Sequence, residues 1–166
     1  MVTRDVLLAE FDRETTLTRV VLERLPDDRY GWRPHARSFT AGELASHLAN
    51  LPGWAMATLR ETAVDTATQP RPTVATSRAE LLGQFDMRVA EARAALVTMT
   101  DPQLGETWTL RQGDRTLFSM PRLSVWRSFV MNHLVHHRGQ LSVYLRLLDV
   151  PVPAIYGPSA DDAPRF

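Results

Sequence analysis

Three histidines of this chain stand at positions from which they could bind one metal ion. His133 and His137 lie four residues apart in a segment with helical periodicity. Such residues are separated by about 40° of rotation and about 6 Å of rise, so both imidazoles can reach the same ion. The helical projection places the pair on the apolar side, where two protonated rings would repel each other. A metal ion would satisfy both rings as neutral ligands.

A third histidine, His47, lies in an earlier segment, on the apolar stripe that also carries Leu44, Leu51 and Trp54. Packing of this segment against the one with the histidine pair could bring a third imidazole to the same point. Three protein ligands would leave an open position on the ion, as in catalytic zinc sites. The same spacing is also compatible with histidines that merely pack in the core of a structural dimer.

Two further residues of the last helical segment are candidates to support the ligands. His136 projects about 60° away from the metal-facing direction, so we expect it to contact a ligand, another helix or solvent. Gln140 falls on the inward stripe and is the second candidate for such a supporting contact. His35 belongs to a loop and is expected at the surface.

No catalytic acid or base stands out in the sequence. Glu43 lies one turn before His47, but helix capping explains it equally well. Asp161 and Asp162 lie in the C-terminal tail, where outward placement is expected. The sequence therefore leaves the catalytic residues unknown.

Aromatic and basic side chains supply candidates for a substrate pocket. Aromatic residues at helical spacing are commonly core residues, but five of them could line a cleft above the metal. Arg138, which is expected on the polar side of the last helical segment, and Arg146 could pair with an anionic substrate or a neighbouring subunit, although solvation or a structural ion pair is the favoured interpretation. The aromatic pocket candidates are Trp32, Trp54, Trp126, Tyr144 and Tyr156.

The elements that must position these side chains are predicted to be four helices. Capping-box sequences at Thr40 and Ser77 mark the starts of the second and third helices, and Pro52 predicts a kink or local break within the second. The apolar periodicity predicts helices from about Thr3 to Leu25, Thr40 to Thr62, Ser77 to Met99, and Pro121 to Leu148.

The segments between and after the helices are predicted to be largely irregular. Residues 64–76 are rich in threonine, proline and alanine and are expected to form a loop. Between Asp101 and Met120, strand-forming residues flank a Gly113-Asp114 turn signal and indicate a small β-hairpin. The proline-rich tail is expected to pack across the bundle through Ile155 and Tyr156. The fold class is therefore all-α: a four-helix bundle with a small irregular or hairpin insert before the last helix.

Composition excludes several classes of chemistry. The 166 residues with 44% hydrophobic content suit one globular domain, 1–166. Nineteen basic and nineteen acidic residues give a net charge of +0, which provides no electrostatic footprint for nucleic acid or an anionic membrane. Without lysine or cysteine, the chain has no Schiff-base former, disulfide or protein thiol. The N-terminal residues lack an apolar targeting segment, so a cytoplasmic location is expected.

The segment NHLVHHRGQL at residues 132–141, followed by YLR and VPAIYG, resembles the C-terminal signature of the DinB/YfiT-like family of damage-inducible proteins. The single histidine in the second helix, the four helices and the insert extend the resemblance over nearly the whole chain. It implies an up-down-down-up bundle, often homodimeric, that holds zinc, nickel or a similar ion. The ligands that the resemblance implies are His47, His133 and His137.

The resemblance also implies an enzyme that uses a low-molecular-weight thiol such as mycothiol, bacillithiol or glutathione, in a transferase or isomerase reaction. Two alternatives stay open. A tris-imidazole ion could lower the pKa of bound water toward about 7 and support hydrolysis. The protein could also be a non-catalytic, stress-related module that binds metal or small molecules. The expected partners are a small-molecule substrate or thiol and a second copy of the chain.

Overall fold

The computed structural model describes residues 3–70 and 72–163. Four main helices form a bundle, and a small three-stranded sheet precedes the last of them, which confirms the predicted fold class. The first three main helices are α1 (Thr3–Leu22), α2 (Ala41–Arg60) and α3 (Arg78–Val97). A short helix α4 (Asp101–Gly105), which was not predicted, follows the third. The fourth main helix consists of α5 (Arg122–Val125), a π-helical segment (Trp126–Met131) and α6 (Asn132–Leu147).

The bundle brings α2 into contact with α6, the two helices that carry the histidines. Helix α2 packs against α3 and α6, and α1 packs against the same two helices. Apolar side chains from all four helices fill the interior, among them Phe11, Leu48, Phe85 and Leu141. Full burial of such a side chain stabilises a fold by about 1.5–3 kcal/mol, so this core fixes the spacing of the helices. None of the helices described here is long and apolar enough to cross a membrane.

The start of α2 is fixed by its cap. The Thr40 side chain accepts a hydrogen bond from the Glu43 backbone N–H at 3.1 Å, and the Glu43 carboxylate accepts one from the Thr40 N–H at 2.7 Å. This is the predicted capping box. At α3, Ser77 caps the helix as predicted, but the Glu80 carboxylate bonds to Thr76 instead of Ser77. Helix α2 continues past Pro52 to Arg60.

The insert is a sheet of three strands. Strands β2 (Thr107–Gln112) and β3 (Arg115–Pro121) form the predicted antiparallel hairpin, with Gly113 in the turn at a φ of 59°. Glycine adopts this conformation without strain. Strand β1 (Ala63–Asp65) pairs with β2 in parallel. The prediction that residues 64–76 are entirely a loop is therefore wrong at its start, because Val64 belongs to this strand and is buried beside Trp108 and Val125.

The prediction of one unbroken helix from Pro121 to Leu148 is also wrong. Pro121 ends β3, and the helix widens between Trp126 and Met131, where the Asn132 N–H bonds to the Arg127 carbonyl five residues earlier. Such π-helical turns are rare and frequently occur at functional sites. The π-helical turn contains one residue more than an α-helical turn. The residues before it are therefore displaced by one position around the helix relative to His133.

Candidate metal centre

Helices α2 and α6 bring His47, His133 and His137 together. One ring nitrogen from each can be chosen so that all lie within 4.8 Å of one another. The Nε2 atoms of His47 and His133 are 3.2 Å apart. Three nitrogens in a tetrahedral zinc site, each about 2.0–2.1 Å from the ion, lie about 3.3 Å apart. The three imidazoles could therefore hold a divalent ion, and the distance between His47 and His133 already matches that of a tetrahedral site.

Hydrogen bonds to the outer ring nitrogens orient two of these imidazoles. His137 Nδ1 donates to the Gln140 side-chain oxygen at 2.7 Å, because a carbonyl oxygen can only accept. The backbone carbonyl of Phe129 bonds to the His133 ring. With Nε2 of His133 facing His47, the nitrogen available to that carbonyl is Nδ1. Such contacts fix the tautomer of a ligand and aim its free nitrogen at the ion.

His136 lies beside the three histidines without belonging to the cluster. Its ring centroid is 4.8 Å from that of His137, and its side chain is exposed. His35 is exposed in the loop before α2, where its Nδ1 accepts a hydrogen bond from the Arg37 N–H. These two histidines can serve as references for surface imidazoles in experiments on the cluster.

The environment keeps the three clustered imidazoles neutral. Burial, helped by the neighbouring His137 and His133, lowers the pKa of His47 to about 4. Burial is also the main cause that lowers the pKa of His133, with the Phe129 carbonyl acting against it. The pKa of His137 is lowered by burial, against the opposing hydrogen bond of Gln140. Neutral imidazole is the form that binds metal, so no proton has to leave at neutral pH.

We expect the metal-free protein to lose stability as the pH falls from about 6.5 toward 4. The unfolded chain protonates His47 near its ordinary value of 6.5, whereas the folded chain does so only at about 4. Between about pH 4 and 6.5 the unfolded state therefore binds more protons than the folded state. The contribution of neutral His47 to the free energy of unfolding is complete above this range and is lost as the pH falls through it. Urea unfolding of chelator-treated protein at pH 7.5 and 5 measures the loss, which should be smaller in a His47→Gln variant. An equal loss of stability in both proteins would contradict the assignment of this pH dependence to His47.

An apolar pocket of about 240 Å³ adjoins the cluster, and His47 and His133 form part of its wall. Among the aromatic pocket candidates from the sequence, Trp54 lines it. The remaining walls come mostly from the sheet and from the start of the last helix. They are Thr66, Trp108, Leu110, Phe118, Val125 and Phe129.

The other four aromatic candidates lie elsewhere in the structure. Trp126 is fully buried and packs on Phe11, with ring centroids 5.3 Å apart. Trp32 and Tyr144 form an edge-to-face pair at 5.5 Å on another part of the core. The Tyr156 hydroxyl donates to Glu14 at 2.6 Å.

Sequence reasoning missed the contribution of the hairpin to the pocket. Trp108 and Leu110 are two positions apart on β2, and Leu110 pairs with Phe118 on β3. Alternate residues of a strand share one face of the sheet, so the alternation of apolar side chains was the available signal. It marks one face of the hairpin as apolar but does not indicate what that face contacts.

The charged candidates are engaged in structural contacts. Glu43 is held in the cap of α2, and Asp161 pairs with Arg146 and accepts from the Val152 N–H. Asp162 lies 3.9 Å from Arg24.

Arg138 forms an ion pair with Glu14 at 2.6 Å, but its side chain is only 1% exposed. The structural ion pair was one of the two favoured interpretations, but the expected position of Arg138 on the polar side of the helix was wrong.

A helical bundle with a small sheet before its last helix and three convergent histidines is the architecture that the DinB resemblance implied. The sequence matches the DinB family over residues 1–165, and the chain belongs to that family. It is 29% identical over 171 residues to the uncharacterized protein YrdA of Bacillus subtilis, covering 99% of this chain and 94% of that protein.

Two solved structures share the fold. A DinB-like protein of Bacillus subtilis, YjoA, superposes with a TM-score of 0.68 at 19% identity, covering 86% of this chain and 91% of that one. A DinB-like protein from Bacillus cereus ATCC 10987 superposes with a TM-score of 0.67 at 24% identity, covering 90% and 95% of the two chains. At these identities the likeness establishes the architecture and no activity.

Proposed function

We propose that this chain is a metal-dependent enzyme of the transferase or isomerase type that uses a low-molecular-weight thiol. The observation that carries the proposal is the cluster of three neutral imidazoles, two of which form part of the wall of an apolar pocket. Zinc or nickel is the proposed ion, since imidazole suits both. The three histidines would hold it, and Gln140 and the Phe129 carbonyl would keep two of the rings in place.

A divalent ion at this position would supply the activation of the thiol, because a thiol bound to such an ion loses its proton. The chain has no cysteine, so the sulfur must come from a small molecule. In a transfer reaction the sulfur forms a bond to an electrophilic carbon, the leaving group departs with its electron pair, and the thiol proton passes to solvent. The apolar walls around the site limit the access of competing water.

The surroundings of the site favour the thiol reaction over hydrolysis. A water-activating site commonly uses a protein group that takes up the proton. Among the described residues that line the pocket, none is a carboxylate. The nearby Glu43 caps α2, with its carboxylate bound to the Thr40 N–H. The thiol reaction would not need such a group, because a thiol held by a divalent ion would lose its proton to solvent outright, whereas bound water would be only partly ionised near neutral pH.

Loading the protein with cobalt and adding benzyl mercaptan should produce a sulfur-to-metal charge-transfer band. The band reports a thiolate bound at the ion, and it should saturate at one thiol per chain. His137→Ala should remove it, while His35→Ala, which changes a distant surface histidine, should leave it intact. A cobalt-loaded protein whose spectrum does not respond to thiol would contradict the proposed reaction. If thiol binds but chelator-sensitive turnover of thiol with electrophiles is undetectable, the non-catalytic binding alternative is favoured.

We further propose that the chain forms a homodimer and that its partners are small molecules. The support is the family membership, since relatives are often homodimeric. Light scattering coupled to size exclusion should give about twice the mass of 18.7 kDa. A mass of one chain across the accessible concentration range would contradict the dimer and leave the proposed reaction untouched.

A further inference from the structure

We propose that the pocket beside His47 and His133 binds an uncharged apolar group of the substrate, about the size of one substituted or two fused aromatic rings. The inference rests on the proposed function, because the reactive end of the same substrate must reach the histidines. The pocket then selects the part of the substrate that does not react. It is expected to discriminate against charged groups.

The walls offer apolar surface on several sides. Trp108 is fully buried and backs the wall of the pocket, and its indole N–H already donates to the Ala57 carbonyl at 3.3 Å. The rings of Phe118 and Phe129 stack at 4.5 Å with an angle of 14° between their planes. Leu110 and Val125 add aliphatic surface. Flat aromatic and aliphatic walls gain most from a flat apolar guest, since contact area and ring stacking both increase.

The pocket has little capacity to compensate a charge. Apart from the two histidines and the indole groups, Thr66 is the one polar residue among those described as lining it. The Thr66 hydroxyl donates to the Arg111 carbonyl at 3.2 Å, so its proton is already used. A charged group without hydrogen-bond partners in an apolar site loses much of its hydration energy. The polar end of a substrate is therefore directed toward the histidines.

The volume sets the size of the guest. An engineered apolar cavity of about 150 Å³ in another protein binds benzene. The pocket here measures about 240 Å³. It can therefore hold a ring with a substituent, or two fused rings. Phe129, one of the residues that line the pocket, is 38% exposed, so this part of the wall reaches the protein surface.

The inference can be tested by equilibrium dialysis of the zinc-loaded protein against 2-naphthol and 2,6-naphthalenedisulfonate. The two probes share a ring system, but the disulfonate must place a charged group in the apolar end of the pocket in either orientation. We expect one naphthol per chain, bound at least tenfold more tightly than the disulfonate. Leu110→Asp and Phe129→Ala should each weaken naphthol binding at least fivefold. Leu117→Asp is the matched control, because Leu117 is 41% exposed on the neighbouring strand and lies outside the pocket.

Equal affinity for the two probes, or unchanged naphthol binding in Phe129→Ala, would overturn the inference. Phe129 is partly exposed, so this variant should remain folded even if Leu110→Asp does not. Zinc content measured on the same samples separates the two proposals. Stoichiometric zinc without naphthol binding refutes the pocket alone, whereas naphthol binding without zinc refutes the metal centre and leaves the pocket assignment standing.

Discussion

Replacing Arg138 with methionine is expected to reduce the free energy of unfolding by about 3–5 kcal/mol. The Arg138 guanidinium is buried against α1, where it bonds to the Glu14 carboxylate at 2.6 Å and to the Glu14 backbone carbonyl at 3.0 Å. It also bonds to the Tyr156 hydroxyl, which ties the C-terminal tail to the bundle. Methionine fills similar space but leaves the Glu14 carboxylate buried without its cation, and this uncompensated charge is the main cost.

Urea unfolding measures this effect, and two further variants show where it originates. The double variant Arg138→Met, Glu14→Leu should recover much of the loss, because it leaves no unpaired charge. Arg93→Met is the matched control, since Arg93 pairs with Asp12 at 2.8 Å but both side chains are more than 40% exposed. Loss of such an exposed pair should cost about 0–1 kcal/mol. Similar losses in Arg138→Met and Arg93→Met would contradict the buried-charge account.

Arg138 also illustrates a limit of reading a helix from its sequence. Arg138 directly follows His137, so the two side chains point about 100° apart around the helix. If His137 faces inward, Arg138 must point to a different side of the helix. That direction was interpreted as the polar side of the helix. In the bundle it faces α1, where Glu14 is the acidic partner. Sequence periodicity gives the angle between two side chains but not which neighbouring helix covers each face.

The helices were predictable because their signals are local. Apolar spacing, the Thr40 and Ser77 caps and the Gly113 turn depend on residues close in sequence. The short strand β1 was not predictable from its own residues, because three residues carry too little pattern and its pairing with β2 is long-range. The π-helical segment has no periodic signal of its own in the sequence. When positions are counted back from His133, an unbroken α-helix would place Trp126 at the position that Val125 occupies in the structure.

The candidate site was predictable in part. The spacing of His133 and His137 indicated a ligand pair, and His47 lay on an apolar stripe, but the family resemblance supplied most of the case for the third ligand. The pocket was less accessible to sequence reasoning. Phe118 and Phe129 belong to different elements, and their stacking depends on how the hairpin docks onto the last helix. Only the assembled fold brings such residues together.

Replacing His133 with alanine is expected to weaken zinc binding more than about 100-fold. Variants of residues that merely support a ligand cost about 10–100-fold, and His133 is a ligand in this account. Its Nε2 lies 3.2 Å from that of His47, and its ring contacts the pocket. His136→Ala is the matched control, because it removes an exposed imidazole three residues away on the same helix. That variant should retain zinc with nearly unchanged affinity.

The most direct test of the metal centre is the zinc content per chain of the wild type, His133→Ala and His136→Ala after dialysis against the same buffered free zinc concentration. The free zinc concentration should be buffered at about ten times the dissociation constant of the wild type. A variant whose affinity is 100-fold weaker then remains almost empty. The account predicts about one zinc per chain in the wild type and in His136→Ala, and about one tenth or less in His133→Ala. Equal zinc content in all three proteins, or none in the wild type at any zinc concentration, would contradict it.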